Sequence, residues 1–301
     1  MSHSLINRYL WLIDTIRRHG RITRRDLDRA WQDSDFSGGD RLPRRTFYNY
    51  RQAILDIFHI SIEFDPSTYE YYLMDEGTNE SNMTDWLLNT AAVSDTLAGA
   101  RDVAGKIFVE DVPSAREFLA PAIDALKTRH TVSLDYQAYY RSKPTRGIEL
   151  QPLFLKIFRQ RWYITGRVVA EKKIKTYALD RVQSLRILPE TFEEDPLFDA
   201  EEYTRHSFGV VFTEGRVHRI ALKATPREAK YLRTLPLHPS QEETVHDSYS
   251  IFYYTMRVTP DLVDEIVSRG SRVEVLQPQE LRAQVSRELE EALRQYTGAE
   301  S

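Results

Sequence analysis

The sequence predicts an α+β protein, and three observations carry the prediction. Apolar residues recur at helical spacing as far as Phe58, at a period of two between His130 and Leu188, and in alternating strand and helix patterns from His218 onward. A chain of 301 residues is long enough for two or three domains, and a hydrophobic fraction of 41% can build their cores.

The first segment reads as three helices and a hairpin. Leu5, Tyr9, Leu12, Ile13 and Ile16 form one helical stripe, which His19-Gly20 closes because glycine takes the left-handed conformation of a helix end. Thr23-Arg24-Arg25-Asp26 has the form of a capping box and opens a second helix that runs to about Trp31. The loop from Ser34 to Leu42 is polar and carries Gly38-Gly39; Pro43 then suits the first turn of a third helix. That helix places Phe47, Tyr50, Ile54, Ile57 and Phe58 on one face and Arg45, Tyr48, Asn49, Gln52 and Asp56 on the other. Ile60 to Phe64, the turn Asp65-Pro66-Ser67-Thr68, and Tyr69 to Leu73 read as a β-hairpin. Residues 1–76 are therefore expected to form a winged helix-turn-helix with this hairpin as the wing.

Residues 77–129 read as a helical connector, with Trp86, Leu87, Leu88, Val93 and Leu97 in one stripe and Ala122, Ile123 and Leu126 in another. Gly99 to Lys106 superficially resembles a phosphate loop, but five residues separate its glycines and Ile107 stands where a Ser or Thr is needed, so that reading is rejected. In residues 130–195 strands are expected at Val132–Tyr136, Ile148–Phe158, Arg161–Val169 and Ile174–Leu188, with a basic turn from Arg141 to Gly147. Consecutive strands on short loops make a small curled antiparallel sheet or barrel. The acidic stretch 190–202, flanked by Pro189 and containing Pro196, reads as a linker. Within 196–301, strands at His218–Ala224, Ser248–Val258 and Arg272–Gln277 alternate with helices at Pro226–Leu235, Pro260–Arg269 and Pro278–Tyr296, the order of a ferredoxin-like α+β layer.

Composition removes several function classes. With no cysteine there is no disulfide framework, thiolate zinc site, iron–sulfur cluster or Cys nucleophile, which fits a reducing, cytoplasmic setting. The apolar run Leu10–Ile13 is followed at once by Asp14 and Arg17-Arg18, so it is a helix stripe and not a leader, and no apolar run approaches the roughly 18–20 residues of a membrane span. His246-Asp247-Ser248 holds triad residue types, but a triad converges from separate segments. Glu193, Glu194, Asp195, Asp199, Glu201 and Glu202 form a run without histidine, and the eight histidines include no His-Glu-x-x-His pair. No catalytic residue, metal ligand or cofactor is assigned, and the chain is not read as an enzyme.

Charge distribution is more informative than the net charge of -4: residues 1–51 carry eleven Arg, no Lys and six Asp, a net +5, which leaves -9 on the remainder. A basic head on an acidic body suits a module that meets a polyanion.

Several segments in order resemble one family. Arg161-Trp162-Tyr163-Ile164 and Tyr177-Ala178-Leu179-Asp180-Arg181-Val182 resemble the two signature strands of the WYL family of bacterial regulators. Leu150-Gln151-Pro152-Leu153 resembles that family's proline-containing strand. Phe198 to Val210 looks like its bridge to a C-terminal extension, and Val273 to Pro278 with Glu280-Leu281-Arg282 looks like the end of that extension. Ile164 stands for the signature Leu, Ala178 for the usual Arg and Val182 for Ile; the second change removes one donor from the region the family uses for ligands. The resemblance implies a homodimer with an N-terminal winged helix-turn-helix, a central SH3/Sm-like β-barrel that senses a ligand, and a C-terminal extension that dimerises. It also implies a ligand that is a nucleotide or nucleic-acid fragment, and control of phage-defence or DNA-damage genes.

For duplex DNA, Arg45, Asn49 and Gln52 have side chains whose geometry suits guanine or adenine edges, and Tyr48 suits a thymine methyl or a phosphate. Arg24, Arg25, Arg41 and Arg44 are placed for the phosphate backbone, and Thr68 or Tyr69 on the wing for the flanking backbone. In the barrel, alternation puts Trp162, Ile164 and Val168 on a core face and Arg161, Tyr163, Thr165 and Arg167 on the other. With Arg181, Tyr136 and Lys175 these offer cations and phenols to a planar anion. The sequence thus points to a DNA-binding transcription regulator, a repressor under ligand control; the alternative is an RNA- or single-strand-binding protein that works through the barrel.

Overall fold

The computed structural model describes residues 5–58, 60–74, 86–90, 93–94, 97, 106–108, 115–213 and 215–298. The chain is α+β, with antiparallel sheets, and divides into two compact units, Met1–Glu110 and Asp111–Ser301.

The first unit runs α1 (Leu5–His19), β1 (Arg21–Thr23), α2 (Arg24–Gln32), α3 (Arg44–Phe58), β2 (Ile62–Asp65) and β3 (Glu70–Leu73), with strand order β1-β3-β2. Leu12, Ile13 and Ile16 are fully buried, whereas Leu5 at the start of the stripe is exposed. Gly20 ends α1 at φ 68. Thr23 caps α2 by accepting from the Asp26 N–H at 3.2 Å, and its hydroxyl donates back to the Asp26 carboxylate at 2.7 Å. On α3, Phe47, Tyr50, Ile54 and Phe58 are buried; Ile57, expected with them, is exposed. β1 was not foreseen: Ile22 is its only apolar residue, too short a segment for any period, yet it pairs with Tyr71 and is buried. Of the stripe expected at 86–97, Leu88 joins this core, while Trp86, Leu87, Val93 and Leu97 are exposed. Most of the expected connector between 77 and 114, including the Gly99 segment, lies outside the described residues.

The second unit begins with α4 (Arg116–Thr128). Expected as part of the connector, this helix packs into the core of the sheet that follows, through fully buried Ala122 and Ala125. The sheet holds β4 (His130–Tyr136), β5 (Thr145–Phe158), β6 (Arg161–Val168), β7 (Lys173–Ala178) and β8 (Val182–Thr191) in the order β7-β6-β5-β4-β8. The strand expected across Ile174–Leu188 is broken by a 3-10 turn at Leu179–Arg181. Fully buried Leu179 pins that turn to the core, so the chain leaves one edge of the sheet at β7 and re-enters at the other as β8. β5 bulges between Pro152 and Phe154, which bends the sheet around its core of Val132, Leu134, Leu150 and Ile164. β5 and β6 turn on Arg159 and Gln160, both at positive φ (48 and 64), the geometry of a tight two-residue hairpin.

The stretch expected as linker runs into α5 (Ala200–Arg205), capped by the Asp199 carboxylate, which accepts from the Glu201 N–H at 2.8 Å. The chain then makes β9 (Val217–Ala224), α6 (Pro226–Thr234), β10 (Glu242–Val245), β11 (Ser250–Arg257), α7 (Pro260–Arg269), β12 (Val273–Gln277) and α8 (Gln279–Thr297). Sheet order is β10-β11-β9-β12, all antiparallel, which is the ferredoxin-like arrangement; β10 completes it and was not foreseen. Alternate residues Ile220, Leu222, Phe252, Tyr254 and Met256 meet Leu232, Leu262, Ile266 and Leu281 of the helices in one core, and Phe158 from β5 packs against the same core.

Candidate nucleic-acid interface and ligand cleft

In the first unit α3 presents Arg45, Tyr48, Asn49 and Gln52 to solvent along one face, opposite its buried side. The Tyr48 ring lies between Arg44, at 5.8 Å, and Arg51, at 5.7 Å, and the Arg44 guanidinium holds its phenol below the usual range. Gln52 donates to the Asp56 carboxylate at 2.8 Å, which pins its amide on the helix surface. Arg25 on α2 and Arg41 in the loop before α3 are exposed. Residues 33–43 join α2 to α3, a longer connection than the turn of about 3–4 residues typical of a helix-turn-helix. Tyr69 stands at the hairpin tip, 71% exposed at φ 61. The turn beneath it is fixed by Asp65, which accepts from the Ser67 hydroxyl at 2.6 Å and pairs with Arg21 at 2.7 Å; the Ser67 and Arg21 bonds hold its carboxyl well below the usual carboxylate range.

Arg24 departs from expectation. Its guanidinium donates to the Leu42 carbonyl, pairs with Asp28 at 3.0 Å and lies 4.5 Å over the Phe47 ring. Those contacts clamp α2 to the start of α3, so Arg24 is a structural side chain and not a free phosphate ligand. Arg51 was not singled out; it donates to the Ile62 carbonyl and so ties α3 to the hairpin.

In the second unit a cleft of about 1010 Å³ opens on the β4–β7 side of the sheet. Tyr136, Tyr163, Lys175 and Arg181, four of the six expected ligand residues, line it together with Tyr140, Arg141, Arg146 and Tyr177. Burial pushes the Tyr163 phenol up and that of Tyr177 up to about 12, and the Tyr136 and Tyr177 rings meet edge to face at 5.0 Å. Arg181 lies 3.8 Å under the Tyr139 ring, and its Nε is buried without a hydrogen-bond partner among the described residues. Lys175 is paired with Glu171 at 2.6 Å, so an anion there competes with a carboxylate. Ala178 pairs with Tyr163 across β6 and β7 and lines the same cleft.

Arg161 and Arg167 do not line the cleft. Arg161 is 3.4 Å from Asp180, a buried carboxylate that needs a cation beside it. Arg167 sits between Gln151 and Ile174 in the ladder, farther along β6. Thr165, on the face expected to be open, is fully buried and shares a hydrogen bond with Thr176 at 2.9 Å. Strand alternation alone treats one face as a single environment, whereas the middle of this face is buried. Arg141 and Arg146 were legible only as a basic turn.

Other chemistry-bearing clusters are spent on structure. His246 stacks on Tyr249 at 4.4 Å, Glu194 pairs with Arg129 at 3.1 Å, and Glu202 pairs with Arg205 at 2.8 Å. Among the described residues no group of three or more His, Asp or Glu is disposed to hold a metal ion, and no helix is long and apolar enough to cross a membrane.

Two family descriptions match the chain: WYL domain over residues 117–187 and WCX domain over residues 216–293. Among solved structures the chain is similar to proteasome accessory factor B/C (PafBC) of Arthrobacter aurescens, at 21% identity and a TM-score of 0.35, covering 98% of this chain and 47% of that one. It is also similar to a CRISPR Cas-related protein, at 14% identity and a TM-score of 0.38, covering 59% of this chain and 50% of that one. This chain thus spans about half the length of either structure. No curated protein matches it.

Proposed function

That this chain belongs to the WYL-domain family is the premise from which we propose its function: a ligand-responsive transcription regulator that reads duplex DNA with α3 and senses an effector in the cleft of its second unit. The observation that carries the reading is the exposed row Arg45, Tyr48, Asn49 and Gln52 on a helix of the basic first unit. Arg is bidentate to guanine and Asn to adenine, while Arg25, Arg41 and Arg44 hold the phosphates and Tyr69 the backbone beside the wing. We take the chain to be a cytoplasmic, non-catalytic homodimer that represses from a pseudo-palindromic operator, with genes of phage defence or the DNA-damage response as its targets. Its effector is a nucleotide or oligonucleotide, phosphates to Arg181 and its neighbours and base faces to the tyrosines.

The test is binding of the full chain to labelled duplex from upstream of its own gene, against a scrambled duplex, at two salt concentrations. Preference for the native duplex, lost in Arg45→Ala and Asn49→Ala at a cost of about 1–3 kcal/mol each, is the expected result. Equal binding to both duplexes, unaffected by those variants, overturns it. The aromatic and cationic lining of the cleft favours one second reading, a single-strand-binding protein; there the affinity follows Tyr163 and Arg181 and ignores Arg45.

A further inference from the structure

The far wall of the cleft does not belong to the five-stranded sheet. Val210, Val211 and Phe212 form it, in a strap that joins that sheet to the C-terminal domain, and Tyr203 and Asp261 line the cleft beside them. Both sides grip this strap with a charge. From β5, Lys156 donates through Nζ to the Gly209 carbonyl at 2.7 Å and lies 5.2 Å over the Phe212 ring. From the start of α7, one oxygen of Asp261 accepts from the N–H groups of Val210, at 2.6 Å, and Val211, at 2.8 Å. Gly209 between them is at φ +81, and a Cβ there would lie 2.1 Å from that same Asp261 oxygen. The fully buried Thr259 caps α7 and donates to the Phe208 carbonyl at 3.3 Å. On the other side, Lys156 pairs across the ladder with Tyr163, a cleft residue.

Charge-assisted bonds of this kind are the strong ones, and a partly buried ammonium left without its carbonyl is costly. Burial lowers the pKa of the Lys156 ammonium, and the Asp261 carboxylate opposes the change.

We propose that Lys156 and Asp261 are positioning residues for the cleft, holding residues 208–212 as a wall shared by two domains, so that an occupant bearing on Val210–Phe212 is felt at the N-terminus of α7. The inference rests on the reading of the cleft as an effector site. It requires only that the occupant bind one strap position better than another.

Amide hydrogen exchange on the ligand-free full chain tests the wall. Lys156→Met, a change on the sheet side, is expected to speed exchange at Val210, Val211 and the first turn of α7 by about tenfold, within the usual span of coupling between sites, and Lys156→Arg to restore it. Asp261→Asn, isosteric and on the opposite side, is expected to speed exchange around Tyr163; it carries the test if Lys156→Met does not fold. Changes that stay on the mutated side overturn the proposal. Affinity for a fluorescein-labelled oligodeoxythymidine separates this inference from the one beneath it. Weakening by Arg181→Ala and by Lys156→Met supports both. Weakening by Arg181→Ala alone leaves the cleft standing and removes the wall from it. No binding, or binding indifferent to Arg181→Ala, counts against the nucleic-acid effector, and the exchange result still decides the strap.

Discussion

Gly166 lies on β6 against β5, and a Cβ there would lie 2.3 Å from the Gln151 carbonyl oxygen and 2.8 Å from Leu150 Cγ. The first of these is backbone and cannot swing aside. Gly166→Ala is therefore expected to cost about 1–3 kcal/mol, as overpacking does; an unchanged urea midpoint would show that the two strands separate freely. Tyr177 makes a pH-dependent contribution. Its phenol ionises in the unfolded chain near the ordinary value of 10.0 and in the fold at about 12, so the stability it lends is complete below the first and fades as pH rises through the second. Melting temperature should fall in that alkaline window, and Tyr177→Phe should flatten the fall. Arg24 and Arg45 separate two roles that one residue type hides: Arg24→Ala is expected to lower thermal stability through the lost Asp28, Leu42 and Phe47 contacts, whereas Arg45→Ala should leave melting unchanged and alter DNA binding alone.

At the scale of elements, two helices of the C-terminal domain start on threonine caps, Thr225 for α6 and Thr259 for α7. Each replacement by Ala should cost about 1 kcal/mol, more at Thr259, whose hydroxyl also serves the Phe208 carbonyl; equal losses at both would argue that this second bond contributes nothing. Elements with a long periodic signal were legible in the sequence: α3 from its two faces, α7 to within its observed limits, and the ferredoxin-like order from the run of strands and helices. What escaped was short or depended on distant partners. β1 has a single apolar residue, α5 depends on the Asp199 cap, and the break at Leu179–Arg181 is imposed by a core that only the folded sheet creates. The cleft was half legible for the same reason. Residue types named two of its phenols, Tyr136 and Tyr163, and two of its cations, Lys175 and Arg181, but Asp180 claims Arg161, and the strap that walls the cleft comes from a different part of the chain.

For the whole molecule, the basic first segment and the acidic remainder act at a range longer than any single contact. On the proposed function, DNA affinity should fall steeply with salt, and removing Arg41 or Arg44, each proposed to contact phosphate, should reduce the log–log slope by about 1; a slope that ignores both would place the polyanion elsewhere on the chain. The last strand to be noticed has a consequence of its own. β10 is four residues long, begins Glu242-Glu243 and forms the outer edge of its sheet, with Glu242 held by Arg219 and Glu243 by Arg233. An open backbone edge is a template on which further chains can add strands, and brevity and charge are what blunt it. The features that hide β10 from a pattern search thus guard the protein against aggregation. Glu242→Val with Thr244→Val should leave the chain folded yet raise light scattering as concentration increases.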